Sequence, residues 1–168
     1  MFELSKQKSK LIDFNPRSEL NGAELVPAGD LKIQVALGND CLAMFHPTLK
    51  AFLYHLDASP DAQDLAQQGE RTEPNLRIGN LVPPLRLSDE LIGAEVTIHW
   101  GVSAKSDIIF PLANINNFKL EPKEGGTVFV TFRVQVSRIE EKHAGKLATM
   151  IGGDVEISVV PPTAGDSE

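Results

Sequence analysis

The segment Thr127–Ser137 alternates without a break. Val128, Val130, Phe132, Val134 and Val136 fall on one side, and Phe129, Thr131, Arg133 and Gln135 on the other. Successive strand side chains point to opposite faces, and a helix cannot satisfy a period of two sustained over such a length. The same pattern recurs in Leu31, Ile33, Val35 and Leu37 against Lys32, Gln34 and Ala36, in Val96, Ile98 and Trp100 against Thr97 and His99, and in Val155, Ile157 and Val159. Weaker runs at Lys10–Phe14, Leu85–Leu87, Asp107–Phe110 and Ile115–Glu121 extend the series. Between the last of these and Thr127, Pro122, Gly125 and Gly126 supply turn backbone, which predicts a hairpin. The expected fold is mainly β (α+β), either an antiparallel sheet or a two-sheet sandwich.

Two stretches depart from the strand period. Near 40–55, Asn39 or Asp40 can cap a short turn, and Pro47 suits the first position of a second one carrying Leu49, Phe52 and Leu53. From Ile139 to Ile151, apolar residues recur every three or four positions and Gly152-Gly153 supplies a stop, which predicts a helix over 139–151. With 168 residues the chain has the length of one domain, read here as 1–160 followed by a flexible tail over 161–168. An acidic loop near 57–75 carries five acids, among them Asp61 and Asp64, against Arg71 alone. Those five less one give −4, more than half of the net charge of −7.

The chemistry these residues support is limited. The single cysteine, Cys41, excludes an intrachain disulfide, and His46, His55, His99 and His143 are too scattered to predict a metal site. Gly101-Val102-Ser103-Ala104-Lys105-Ser106 lacks the glycine spacing of a phosphate loop and the second glycine of a serine elbow. It reads as a turn with Lys105 and Asp107 as solvated charges. His99 alternates out of phase with Ile98, which predicts a surface or hydrogen-bonded role. No catalytic residue, metal or cofactor is predicted, and the chain is expected not to be an enzyme. No apolar run reaches the length of a bilayer span, so no membrane attachment is expected. Without a recognisable secretory signal, the cytoplasm is the expected compartment.

The segment Gly126-Thr127-Val128-Phe129-Val130-Thr131-Phe132 reproduces the latter half of an RNA-stacking strand, with Thr127 where the first ring would stand. In that reading Phe129 stacks a base while Lys119 and Arg133 contact phosphate.

Leu25-Val26-Pro27-Ala28-Gly29-Asp30-Leu31, Phe45-His46-Pro47-Thr48-Leu49-Lys50, Gly101 to Ile108, Leu120 to Val128 and Gly145-Lys146-Leu147 together resemble a family of small uncharacterised proteins encoded by tailed bacteriophages and prophages of Gram-negative bacteria. The resemblance covers roughly Leu11 to Val160, with the acidic loop as its variable part. It implies a phage-encoded protein made in an infected cell or lysogen. It carries over no activity and no catalytic residues.

The sequence thus predicts a non-enzymatic binding module acting through a protein partner or through itself. The expected contacts are Phe52, Tyr54, Phe129, Asp61 and Asp64. A homo-oligomer is expected because edge strands need covering. The alternative is a single-stranded nucleic-acid-binding accessory of phage replication or recombination, using Lys119, Phe129 and Arg133.

Overall fold

In the computed structural model the described residues are 1–55, 74–79 and 83–163. They form nine strands and two α-helices, so the fold is mainly β and antiparallel, as the alternation predicts. In chain order these are β1 (Leu4–Asn21), β2 (Glu24–Gly38), α1 (Leu49–Leu53), β3 (Tyr54–His55), β4 (Asn75–Leu76), β5 (Leu85–Arg86), β6 (Leu91–His99), β7 (Ile108–Pro122), β8 (Thr127–Val136), α2 (Glu141–Met150) and β9 (Asp154–Val160). No helix among the described residues is long and apolar enough to cross a membrane.

The chain divides into two compact units. One comprises Met1–Val35, Leu87–Phe118 and Thr131–Glu168, and the other Ala36–Arg86 and Lys119–Val130. Strands β2, β7 and β8 contribute residues to both.

The first unit is organised by strand pairing that returns to its start. β1 pairs with β2 and β9, β9 with β6, and β6 with β7, while β8 neighbours both β2 and β7. Six strands therefore close a ring, and antiparallel pairing around it requires β2 and β8 to run in opposite directions. Alternation then sorts every strand into an inward and an outward set. Leu31, Ile33, Val96, Ile98, Ile108, Ile115, Val134 and Ile157 are all buried. Phe2 meets Phe118 and Phe132 edge-on, each at a ring separation of 5.1 Å. Edge-to-face pairs contribute roughly 0.5–1.5 kcal/mol each beyond their buried area.

The β1–β2 hairpin is far longer than the sequence runs suggest, pairing from Ser9↔Val35 out to Asn21↔Glu24. Its two-residue turn places positive φ (67°) on Gly22, the arrangement that matches strand twist. Along it, Gly29 faces Pro16, and a Cβ at Gly29 would lie 2.7 Å from Phe14 Cε2 and 3.2 Å from the Asn15 carbonyl oxygen. Only a hydrogen fits there. Helix α2 lies against β1, and its Leu147 and Met150 are buried. It begins at Glu141 rather than Ile139 because Glu140 is extended (φ −68°, ψ 144°) and takes the cap position, and the Ile139 N–H before it is donated to the Pro27 carbonyl. Gly152 (φ 84°) ends it and donates to Leu11 O.

In the second unit the loop joining β7 to β8 is the hub. Tyr54 Oη donates to the carbonyls of Lys123 (2.8 Å) and Thr127 (3.3 Å), Asn39 N–H to Gly126 O, and Gly125 N–H to Pro74 O. The Glu124 carboxylate accepts from Leu76 N–H. The expected helical excursion is present as a 3-10 turn over Asn39–Met44 followed by α1. Neither Asn39 nor Asp40 caps it: Gly38 holds the cap position, Asn39 is buried, and the Asp40 carboxylate pairs with Lys50 at 2.7 Å. Pro47 sits in the turn before α1 rather than within it.

Three outcomes test this account. Gly29→Ala is expected to cost about 1–3 kcal/mol in urea unfolding, because the new methyl has nowhere to go. Tyr54→Phe is expected to cost about 1 kcal/mol, since it removes the donor that ties Tyr54 to the loop. Burial, reinforced by the Asp40 charge, pushes the Cys41 thiol from its ordinary 9.0 up to about 12. Burial likewise pushes the Tyr54 phenol from 10.0 up to about 12. Above pH 9 the unfolded chain loses these protons while the folded chain keeps them, so stability should fall from pH 9 towards 12. In thermal melts across that range, the Cys41→Ala/Tyr54→Phe double variant should show a flatter profile.

Candidate functional site

Inward positions are committed to the core of the first unit, so chemistry available to a partner must stand on outward positions. The richest outward surface is the face of β6, β7 and β9. The register sets its rows: Thr97 lies between Ile109 on β7 and Ser158 on β9, and Glu95 lies opposite Val160. Between the pairs Ala94↔Ala113 and Val96↔Phe110, two residues of β7, Pro111 and Leu112, oppose Glu95 alone. This bulge turns both outward. A second bulge falls between Ile92↔Asn114 and Ala94↔Ala113, where Gly93 N–H is donated to the Asn114 side chain.

Four large apolar side chains on this face are exposed: Leu112 by 76%, Ile92 by 67%, Ile109 by 55% and Val160 by 47%. A shallow pocket of about 370 Å³ opens beside Leu112, lined also by Asn21, Pro111, Ser137 and Arg138.

Beside the apolar residues runs a chain of hydrogen bonds through three strands. His99, the last residue of β6, contacts Ser158 Oγ through Nε2 at 2.7 Å and the Asp107 carboxylate through Nδ1 at 3.0 Å. The other Asp107 oxygen accepts from Trp100 N–H at 3.3 Å. Ser158 Oγ in turn accepts from Lys6 N–H at 2.9 Å. That donor is free of the β1–β9 ladder because the register shifts between Leu4 and Gln7, with Lys6 at φ 41°. A carboxylate only accepts, so neutral His99 carries its proton on Nδ1 and Nε2 is left to accept from the serine hydroxyl.

His99 therefore has the hydrogen-bonded role its phase predicts. Asp107 does not fit the solvated charge expected of it: its side chain is 16% exposed and held by two partners. Trp100 is also misread by alternation, since β6 ends at His99 and the indole beyond it is 40% exposed.

The residues proposed from sequence separate. Phe52 is 74% exposed and lines an apolar groove of about 340 Å³ in the second unit with Ala51, Leu53, Arg77 and Ile78. Tyr54 is fully buried, its hydroxyl drawn into the β7–β8 loop, and is a core residue rather than a contact. Phe129 is half-buried. Asp61 and Asp64 lie outside the described residues, as does most of the 57–75 segment and the end of the tail.

Lys119 and Phe129 belong to the second unit and Arg133 to the first. The Lys119 ammonium is 3.7 Å from Glu121, and Arg133 Nε donates to Asn116 at 2.9 Å. Both cations are thus engaged with their own sheet.

Ser158 and its association with His99 and Asp107 escape the sequence reading. Alternation alone marks Ser158 as outward, between buried Ile157 and Val159. Bringing it to His99, 59 residues away in the chain, requires the β6–β9 register, which no local motif encodes. Comparison of the chain with family models, with curated proteins and with solved structures found no match in any of the three.

Proposed function

We propose that the chain is a phage-encoded binding module that works in the cytoplasm through contact with a protein partner or with a second copy of itself. The observation that carries this reading is the cluster of Ile92, Ile109, Leu112 and Val160 on one outer sheet face. Several large exposed apolar side chains on neighbouring strands of one face are a usual mark of a contact surface. The core of the first unit, by contrast, is filled by its own side chains, including the Phe2, Phe118 and Phe132 rings.

The support for self-assembly changes in kind. Ring closure gives each of the six strands two neighbours, so edge covering no longer motivates it, and the apolar face takes that place. Glu95, set between Val160 and the Pro111–Leu112 bulge, puts one charge inside the apolar area. An occupant must leave it solvated or meet it with a cation. The nucleic-acid reading has less behind it, because Lys119 and Arg133 are paired within the sheet and the chain carries net charge −7.

The test is capture of partners by the tagged protein during phage infection, alongside light scattering of the purified chain at tens of micromolar. Burying one such side chain contributes about 1.5–3 kcal/mol, so Ile109→Glu/Leu112→Glu should weaken capture or dimerisation at least about tenfold. Melting should change little, since both positions are solvent-facing. Unchanged capture and an unchanged mass in solution would overturn the assignment of this face.

A further inference from the structure

We propose that Ser158 is a nucleophile towards carboxylic esters with apolar acyl groups, with His99 as its base and Asp107 positioning the imidazole. The inference goes beyond the contact reading and does not depend on it.

Three observations carry it. The distances, 2.7 Å from Ser158 Oγ to His99 Nε2 and 3.0 Å from Nδ1 to Asp107, place nucleophile, base and orienting carboxylate in hydrogen-bonded sequence. Their polarity is set from the carboxylate end. Asp107 only accepts, so in the neutral ring Nδ1 carries the proton and Nε2 accepts from the Ser158 hydroxyl, while Lys6 N–H donates to Oγ and Trp100 N–H to the carboxylate. The third is the surroundings. Ile109 shares a row with Ser158 across Thr97, about 10 Å away at ordinary strand spacing, and Val160 lies two residues along on the same side of β9. An acyl chain attached at Ser158 can lie over these side chains instead of in water.

The chemistry balances with water as the only co-reactant. Oγ forms a bond to the ester carbonyl carbon as its proton passes to Nε2. The carbon–oxygen bond to the alcohol then breaks and the alcohol leaves with that proton. Water attacks the acyl-serine, gives a proton to Nε2, and the carboxylic acid departs as the proton returns to Oγ. Asp107 contacts none of the reacting atoms. It stabilises the imidazolium and keeps the proton on Nδ1 in the neutral ring.

The probe is an alkyl fluorophosphonate, which replaces the ester: the Oγ–P bond forms, the P–F bond breaks, and fluoride leaves. The full chain is incubated with it and the adduct located by peptide mass spectrometry. The expected result is one adduct, on Ser158, formed by the folded chain and not by the chain in urea. His99→Ala should slow labelling at least ~100-fold, the low end of a general base's contribution. Asp107→Asn should also slow it and change its pH profile, because an amide can hold the other tautomer, and Asp107→Glu should restore part of the rate. Labelling of the native chain no faster than of the unfolded chain, or an adduct at another residue, overturns the proposal without recourse to any variant. Labelling is read on the purified chain with no partner present, which keeps this test separate from that of the contact face.

Discussion

In the ring of six strands, each strand must offer hydrogen bonds to two neighbours and apolar side chains to one interior at the same time. Period-two alternation meets both demands, since main-chain groups lie in the sheet and side chains leave it alternately on either side. The consequence reaches every strand. A residue of β6 cannot move by one position without turning Val96 and Ile98 outward and Thr97 and His99 inward. The register of β6 against β7 and β9 is therefore held by burial on one face, and the chemistry of the opposite face is inherited from it.

The second unit meets a different constraint. Its strands are short, with β3 and β4 pairing only through Tyr54↔Leu76 and His55↔Asn75, and such a pair contributes little by itself. Stability there comes from polar groups of neighbouring segments converging on the loop between β7 and β8. Tyr54 serves twice, filling core volume with its ring and satisfying loop carbonyls with its hydroxyl. A tyrosine beside Phe52 reads from sequence as part of an aromatic surface. The hydroxyl's use inside the fold becomes visible only once the loop is placed.

Legibility follows the same physics. β8 is clear in the sequence because Thr127 to Val136 alternates without a break. β7 reads as two weak runs because the Pro111–Leu112 bulge and the positive φ (55°) of Asn117 each break its phase. Most of β1 is missed because Ser5 to Lys10 is polar on both faces and register shifts interrupt it. One local signal is nonetheless present: Gly22 stands first in the two-residue loop Gly22-Ala23, the position where a type II′ hairpin turn takes glycine. The helix over 139–151 is right in kind and begins two residues late, at Glu141, because Glu140 before it is extended (φ −68°, ψ 144°) and serves as its cap.

The outer face of β6, β7 and β9 could not be assembled from the sequence, because its members meet through pairing across 59 residues in one case and through bulges in another. Departures from regular strand geometry do much of the positioning. The shift between Leu4 and Gln7 takes Lys6 N–H out of the ladder and directs it to Ser158. The end of β6 at His99 lets the chain turn so that Asp107, the residue before β7, returns to the imidazole. The bulge opposite Glu95 presents Leu112 to solvent beside them. A perfectly regular sheet with the same composition would hold the same core and lose this face. Alternation accounts for the interior, whereas its local failures account for the part of the surface where function is proposed.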